Sequence, residues 1–448
     1  MRGACVLSQI LLISERGNVE CNGSGYLYLQ VKMGRRRHPD LYCAPFPLYT
    51  VRVHRDTGTV VTGGGGGASK TGIKNALHFL RLERISGRVS ASLLHAHDTD
   101  TRATMSLALT GDMLATGQDD CCYILQYQHR QGDGRNDQTG VNDRGSRKRK
   151  PSKSNPETSA GGTKNETPEI SLHPVTVVQT DLSPDHLQKA VCFSVDSTKL
   201  LTGGADGCVR VWEFPEMKKL YDFKAHEGEI EDITVSPDNK VVTVGQDFRC
   251  CVWESDQLLS ELSWNENLPN IPDRMYKYRS CRFGKVLDQK KSLRLYTVQI
   301  PHKRERRPPQ CYITKWDGHS FLPLLTEPCG NEVISCLAVS DCGTFLGLGS
   351  VTGSVAIYIS YSLQKLYYVQ EAHGIVVTDL AFIPDSKEGR ALRGDNETAM
   401  LSVAVDSRCK LHVLPNRRTY PVWLLFILCA VLVIGAIILL QYTFPDFF

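Results

Sequence analysis

A short unit that recurs along the chain restricts the fold more than any other feature. The clearest copies are Lys189–Trp212, Gly228–Trp253 and Glu332–Tyr358. Each contains an alternating segment, a polar turn, a short apolar segment, a Gly/Asp turn and a further segment that ends in Trp or Tyr. Alternation with a period of two, bounded by turn residues, predicts half-buried antiparallel strands. Regular recurrence of such units is typical of propellers and other repeat folds.

Weaker copies of the same unit fill most of the remaining chain. They are Pro47–Leu82, Ala103–Tyr127, Tyr278–Trp316 and Ile375–Leu414. Together with the clear copies they make seven units, which is enough to close a ring and to hide most strand edges. The sequence therefore predicts an all-β fold, a seven-bladed WD-type β-propeller over residues 33–418.

Histidine and aspartate recur at fixed places in these units. His226 and His373 each precede a first strand, and the turns that follow the second strands contain Asp206, Asp247 and Asp406. Trp212 and Trp253 end the third strands of their units. Such residues could pair as acid and base, but in WD-type repeats they form a hydrogen-bond network inside the blade, and buried polar groups need partners. We expect a structural network, no catalytic residue and no metal site that spacing alone defines.

One long apolar segment lies near the C-terminus. Val422–Leu440 contains no charged residue, and as a helix it would be roughly 28 Å long, close to the ~30 Å thickness of the hydrocarbon core of a bilayer. Arg417 and Arg418 precede it, and positive residues favour the cytosolic side. We expect a single transmembrane helix over residues 419–442, a cytosolic propeller and a lumenal tail of residues 443–448.

Two further segments lie outside the repeats. Residues 1–32 form an extension of unknown role, and Met33 is a second candidate start. Residues 129–174 are rich in Gly, Asn, Lys, Ser and Thr, most clearly over Arg130–Glu169, and predict a disordered insertion. Its basic run Arg144–Lys153 resembles a nuclear localisation signal or nucleic-acid patch. The run lacks interleaved aromatic residues and the net charge is only +4, so a solvated loop is the favoured interpretation.

A glycine-rich loop, Thr62–Asn75 (TGGGGGASKTGIKN), interrupts the first unit. It resembles a phosphate-binding loop, but Ser69 stands where that motif needs a glycine before Lys70. The residues that follow predict a strand, whereas a phosphate loop must lead into a helix whose N-terminus faces the phosphates. We therefore reject nucleotide binding by this loop.

Two interpretations of the loop remain open from the residues alone. It is either a mobile hairpin connection, or a segment whose glycines allow unusual backbone angles and close approach to another group. In the second case its carbonyl groups could surround a cation, and Ile73 would be presented as an exposed apolar side chain.

Several long strings identify the chain by resemblance, from Met33 to the C-terminus. They include GGGGASKTGIKN (64–75), FKAHEGEIED (223–232), GTFLGLGSVTGSVAIYI (343–359) and the apolar segment that begins PVWLL (421–425). The chain resembles the animal family of prolactin regulatory element-binding proteins, the counterparts of the yeast exchange factor for the Sar-type small GTPase. Residues 1–32 lie outside the resemblance.

The resemblance implies a guanine nucleotide exchange factor without covalent chemistry, anchored in the endoplasmic reticulum membrane by a single pass. Such a protein loads GTP onto the Sar-type small GTPase and starts COPII coat assembly in ER-to-Golgi vesicle transport. Coat proteins and exit-site scaffold proteins are its further expected partners. The resemblance also implies potassium binding at the glycine-rich loop, insertion of Ile73 near the nucleotide and support of Ile73 by Asn75. The GTPase-binding residues that it implies are Gly63, Gly64, Gly65, Gly66, Gly67, Thr71, Gly72, Ile73 and Asn75.

Two other functions compete with this one. A membrane-tethered propeller could act as a scaffold without exchange activity, because a fold does not fix a function. The second competing function is that of a DNA-binding transcriptional regulator, which is suggested by the name of the family that the chain resembles. The near-neutral net charge, the apolar segment and the lack of a predicted groove-reading helix count against nucleic-acid binding.

Overall fold

A computed structural model describes most of the chain. The described residues are 39–68, 72–130, 169–265, 268, 271, 275–287, 289–303, 306, 308–416 and 422–443. The N-terminal extension 1–32 and the basic run 144–153 lie outside them, as do Arg417 and Arg418.

Within these ranges the chain forms seven four-stranded antiparallel sheets, so the predicted seven-bladed β-propeller is confirmed. Blade 1 contains β2 (Leu48–Val53), β3 (Val60–Gly64), β4 (Ala76–Ile85) and β5 (Arg88–Asp98). Blade 2 contains β6 (Thr104–Thr110), β7 (Met113–Gln118), β8 (Cys121–Arg130) and β9 (Glu169–Gln179). Blade 3 contains β10 (Gln188–Phe193), β11 (Lys199–Gly204), β12 (Cys208–Glu213) and β13 (Lys218–Lys224).

The remaining blades repeat the same order. Blade 4 contains β14 (Ile230–Val235), β15 (Lys240–Gly245), β16 (Cys250–Glu254) and β17 (Gln257–Glu261). Blade 5 contains β18 (Tyr276–Val286), β19 (Gln289–Pro301), β20 (Cys311–Asp317) and β21 (Pro323–Gly330). Blade 6 contains β22 (Ile334–Val339), β23 (Phe345–Ser350), β24 (Val355–Ile359) and β25 (Lys365–Val369). Blade 7 contains β26 (Val377–Phe382), β27 (Asn396–Ala404), β28 (Arg408–Pro415) and, as its outer strand, β1 (Asp40–Cys43).

The outer strand of blade 7 therefore comes from the other end of the propeller chain. Tyr42 and Cys43 pair with Cys409 and Arg408 of β28. The carboxylate of Asp40 accepts from Arg408 at 3.0 Å and from Lys410 at 3.1 Å. The repeat analysis did not predict this closure, because a single strand has no signal for the edge with which it pairs.

The apolar core lies between neighbouring blades. At the junction of blades 7 and 1, a cluster contains Phe46, Leu48, Leu80 and Leu401, each with an exposed fraction of at most 1%. Burial of one such side chain contributes about 1.5–3 kcal/mol. The ring is thus closed by side-chain packing as well as by strand pairing.

Each blade has two sets of connections at opposite ends of its strands. We call upper face the end that holds the second-to-third-strand connections, such as the glycine-rich loop and residues 205–207, 246–249 and 405–407. Blade-to-blade connections lie at this end too. The lower face holds the other connections, including residues 54–59 and 86–87. Strand β28 runs from the upper to the lower face, so the chain leaves the propeller at the end opposite to the glycine-rich loop.

Two described helices accompany the sheets. Helix α1 (Lys387–Arg393) connects β26 to β27, and its N-terminus is capped by the Ser386 side chain, which accepts from the Gly389 N–H. Helix α2 comprises Val422–Thr443. Among the described residues, no helix meets the combined length and hydropathy criteria of a membrane span.

The predicted bounds of the disordered insertion are wrong at both ends. His129 and Arg130 end β8, and residues 169–174 belong to β9, which pairs with β8 along its whole length. Strand pairing satisfies the backbone of these polar residues, which composition alone does not reveal. Residues 131–168 lie outside the described residues.

Candidate functional site

The first glycines of the loop are part of a buried strand. Gly63 and Gly64 end β3. A Cβ atom on Gly63 would lie 2.9 Å from Thr104 Cγ2, and one on Gly64 would lie 1.9 Å from the carbonyl oxygen of Pro47. Atoms of neighbouring residues therefore leave no room for a side chain at either position.

The next glycines turn the chain away from the sheet. Gly65, Gly67 and Gly72 have φ angles of +147°, +72° and +75°, which residues other than glycine rarely adopt. A Cβ atom on Gly65 would also lie 2.0 Å from Asn75 Oδ1, whereas nothing lies within 4 Å of one on Gly67 or Gly72. Gly66 lies between Gly65 and Gly67 and is partly exposed.

Asn75 fixes the base of the loop. Its side chain is 3% exposed; its Oδ1 accepts from the Gly67 N–H at 2.8 Å, and its Nδ2 donates to the Gly67 carbonyl at 3.2 Å. The same Nδ2 donates to the Asp100 carbonyl at 2.9 Å. One amide therefore holds both ends of the loop, and the connection from β5 to β6, in fixed positions.

Ile73 lies beyond this clamp, on the outgoing arm of the loop. Its side chain is 40% exposed, and Gly72 and Lys74 beside it are exposed as well. Thr71, with Ser69 and Lys70, lies outside the described residues. The loop leads into the strand β4 at Ala76, in agreement with the rejection of a phosphate-binding loop.

Two buried hydroxyl groups lie near the start of the loop, on opposite faces of the blade 1 sheet. Thr62, next to Gly63 on β3, and Thr104, whose methyl group lies nearest to Gly63, are both fully buried. Neither Oγ1 has a hydrogen-bond partner among the described residues. Thr104 belongs to blade 2 and faces Gly63, whereas Thr62 is paired with His78, which contacts Phe46 on the side of blade 7. Sequence reasoning missed both hydroxyls, since their burial depends on contacts between blades.

The His, Asp and Trp residues of blade 4 form one connected network. His226 Nδ1 lies 2.9 Å from Asp247 Oδ1, and its Nε2 lies 2.8 Å from Thr243 Oγ1. Trp253 Nε1 donates to the same Thr243 oxygen at 2.9 Å. His226 is 1% exposed, so the imidazole is an internal connector between the upper-face turns.

Blade 7 has a related network, and blade 3 departs from the pattern. His373 Nδ1 lies 3.1 Å from Asp406 Oδ1, and its Nε2 lies 2.7 Å from Ser402 Oγ. In blade 3 Trp212 Nε1 donates to Thr202 at 3.0 Å. Asp206, however, pairs with Arg210 at 2.6 Å and not with a histidine. The sequence analysis missed this arginine, which is 5% exposed.

In the described ranges no group of three or more His, Cys, Asp or Glu side chains is arranged to hold a metal ion. The loop offers backbone carbonyl groups and the Asn75 amide, and Ile73 is its exposed apolar side chain.

Comparisons with known proteins agree with this architecture. The family described as WD domain, G-beta repeat, matches residues 178–213 and 217–254. The first match covers the end of β9 and the first three strands of blade 3, and the second covers β13 and the first three strands of blade 4. A solved structure of Raptor from Chaetomium thermophilum has a TM-score of 0.56 at 12% identity, over 86% of this chain and 29% of that chain, and supports the fold alone.

Full-length relatives are much closer in sequence. The "Guanine nucleotide-exchange factor SEC12" of Rattus norvegicus is 57% identical, over 93% of this chain and 100% of the relative. The protein of the same name from Mus musculus is 58% identical over the same shares. "SEC12-like protein 2" of Arabidopsis thaliana is 28% identical, over 52% of this chain and 53% of that protein. The chain belongs to the SEC12 family of guanine nucleotide-exchange factors.

Proposed function

We propose that the chain accelerates GDP release from a Sar-type small GTPase at the endoplasmic reticulum, and so starts COPII coat assembly. The names and full-length similarity of the rodent relatives support exchange activity. The glycine-rich loop of blade 1 is the proposed contact with the GTPase, with Ile73 as its inserting residue.

Exchange requires differential binding and no covalent step. A factor that binds the nucleotide-free GTPase more tightly than the loaded one weakens nucleotide affinity by the same factor, through linkage. GDP is held by the phosphate loop of the GTPase, its lysine and Mg²⁺. An apolar side chain that fits only the opened pocket supplies the required difference in contact.

The single observation that carries this assignment is an exposed apolar residue on a loop with a fixed base. Ile73 is 40% exposed, while the Asn75 amide holds Gly67 at 2.8 and 3.2 Å. A fixed base reduces the ordering entropy that binding would otherwise oppose. Ile73 can therefore transmit binding energy to the GTPase.

We further propose that the loop binds potassium, and the residues present fit such an ion. Potassium is held in proteins by backbone carbonyl oxygens. The loop supplies neutral oxygen atoms of this kind in the backbone carbonyl groups of Gly65, Gly66 and Gly67. The bound ion would supply a positive charge that orders the loop; Asn75 would hold the loop position.

Helix α2 is the proposed membrane anchor, with the propeller in the cytosol. Val422–Leu440 contains no charged residue, and side chains such as Leu432 and Leu439 are 64% and 65% exposed. Exposed apolar side chains of this kind suit a lipid environment. Coat and exit-site scaffold proteins are further proposed partners.

The test is GDP release from a purified Sar-type GTPase, with the full chain in lipid nanodiscs. Ile73→Asp should lower the exchange rate constant about ten- to a hundredfold, because it removes an apolar contact worth about 1.5–3 kcal/mol. Ile85→Asp is the matched control, since Ile85 is 60% exposed on the lower face of the same blade.

The outcomes separate the competing functions. A wild-type chain that leaves GDP release at its spontaneous rate would support the scaffold function instead. An equal decrease of the exchange rate constant in both variants would show that Ile73 has no specific role in exchange. Replacement of potassium by sodium should slow exchange by the wild-type chain, and an unchanged rate would refute the cation proposal.

A further inference from the structure

Blade 6 lacks every side chain of the network that fills the same place in blade 4. The strand register aligns Ile334 and Ser350 with Ile230 and Gly245. By this alignment Gly330, Thr352, Leu348 and Tyr358 occupy the positions of His226, Asp247, Thr243 and Trp253. The imidazole that connects the upper-face turns in blades 4 and 7 thus has no counterpart here.

A cavity of about 250 Å³ lies at this place. Gly330 and Leu348 line it, with Ile334 and Val355 as further apolar walls and Tyr358 at the side. Gly330 has a φ of +117°, and nothing lies within 4 Å of a Cβ atom built on it. Its lining includes Asn331, Glu332 and Ser350, which lie at the upper-face end of blade 6. This part of the cavity is therefore on the same face as the glycine-rich loop.

Glu332 contributes a carboxylate to the lining of the cavity. Glu332 Oε1 accepts from the Tyr368 hydroxyl at 2.7 Å. Burial alone would raise the pKa of Glu332, but hydrogen bonds from Tyr368, Ser354, Thr352 and Ser350 lower the pKa below its ordinary value. Glu332 is consequently an anion that is stabilised by hydroxyl groups.

Several other glutamates of the described chain are stabilised by ion pairs instead. Those that form ion pairs in the described ranges are Glu83, Glu229, Glu231 and Glu261. A half-buried carboxylate without an ion-pair partner in the described chain is complementary to a cation supplied from outside.

Two aromatic rings next to the carboxylate also favour a cation. Lys365 Nζ lies 4.9 Å from the ring centroid of Tyr368 and 5.6 Å from that of Tyr358. Ammonium and guanidinium groups within about 6 Å of a ring centroid are attracted by its π-face. Lys365, an exposed residue of the chain itself, thus already occupies part of a cation-binding arrangement.

We propose that this cavity receives one basic side chain, lysine or arginine, of a protein that docks on the upper face. Its volume is below the roughly 300–1,000 Å³ of pockets for small molecules, which favours a single side chain. The apolar walls contact the aliphatic stem and Glu332 pairs with the charged head, as amphipathic basic side chains require. On the proposed function above, the docked protein is the Sar-type GTPase.

The first experiment does not depend on exchange activity. The full chain in nanodiscs is titrated with N-acetyl-arginine methylamide and binding is followed by NMR. We expect saturable binding that Glu332→Gln weakens about tenfold. Glu227→Gln, the same charge change at an exposed upper-face residue of blade 4, should leave binding unchanged. Lys365→Gln should tighten binding severalfold, because it removes a competing cation.

Absence of saturable binding, or equal binding by wild type and Glu332→Gln, would overturn the cavity assignment. The second experiment concerns the partner. If the GTPase supplies the side chain, Glu332→Gln should raise the chain concentration for half-maximal GDP release about tenfold, with the maximal rate unchanged. If Glu332→Gln leaves the half-maximal concentration unchanged, the GTPase is not the protein that occupies the cavity. If the wild-type chain has no exchange activity, the proposed function is contradicted instead.

Discussion

At the scale of single residues, the glycines of one loop have two separate physical roles. A side chain on Gly64 would meet the Pro47 carbonyl oxygen at 1.9 Å. A side chain on Gly67 would meet nothing within 4 Å, but its φ of +72° is unfavourable for other residues. The first role is steric exclusion by a neighbouring backbone, and the second is backbone conformation.

These roles predict different stability losses. Gly64→Ala should lower the free energy of unfolding by about 3 kcal/mol, since the backbone of β2 must shift. Gly67→Ala should lower it by only about 1–2 kcal/mol, the penalty for a left-handed residue. Denaturant titration followed by tryptophan fluorescence measures both, and a larger loss for Gly67→Ala would contradict the explanation.

Burial of His373 predicts a dependence of stability on pH. Burial lowers the pKa of His373 from its ordinary value of 6.5, against the opposing effect of Asp406. Between the folded pKa and 6.5 the unfolded chain binds more protons than the native chain, so stability is complete above pH 6.5 and falls as pH drops below it. His373→Gln should reduce this slope in unfolding measurements from pH 7 to 5.5. An identical slope in both proteins would contradict the prediction.

At the scale of elements, one short strand closes the ring. Strand β1 adds pairing to β28, ion pairs from Asp40 at 3.0 and 3.1 Å, and a hydrogen bond of 2.7 Å between Tyr42 and His78 of blade 1. It therefore connects blades 7 and 1 in addition to their apolar contact. Without it the edge of β28 would be unpaired.

Deletion of the strand should have a measurable effect. A chain that begins at residue 44 should unfold with a free energy about 3 kcal/mol lower than one that begins at residue 39, because several hydrogen bonds of about 1 kcal/mol each are lost. The midpoint of chemical unfolding in detergent measures the difference. Equal midpoints would show that β1 contributes no stability.

At the scale of the whole molecule, the path of the last strand orients the proposed interaction face. Strand β28 contains eight residues, about 26 Å at ~3.3 Å per residue, and it ends on the lower face. The connection from Pro415 to Val422 spans at most about 25 Å. If α2 anchors the chain, the lower face lies nearest to the bilayer.

This orientation can be measured with fluorescent amino acids and a quencher on lipid headgroups. A probe at Ser86 on the lower face should be quenched severalfold more strongly than one at Ala68 in the glycine-rich loop. A chain truncated before residue 419, mixed with the same liposomes, is the control for random collision. Stronger quenching at Ala68 would reverse the proposed orientation.

Much of the fold could be predicted from the sequence because its signals are local. Alternating apolar residues and Gly/Asp turns define each blade, as in Lys189–Trp212. They cannot show that Asp40–Cys43 is the outer strand of the last blade, because that pairing joins opposite ends of the propeller chain. Composition likewise placed residues 169–174 in an insertion, although pairing with β8 makes them a strand.

For the candidate site, the sequence by itself determined that a glycine-rich segment with Ile73 interrupts the first blade, and that an apolar segment follows the last. Only the tertiary structure decided that Asn75 clamps Gly67, that the Thr62 and Thr104 hydroxyls are buried without hydrogen-bond partners in the described chain, and that a cavity replaces the histidine network in blade 6. The physical reason is that propensity and patterning act between neighbours in the chain. Clamps, buried hydroxyls and cavities depend on which distant residues packing brings within a few ångströms.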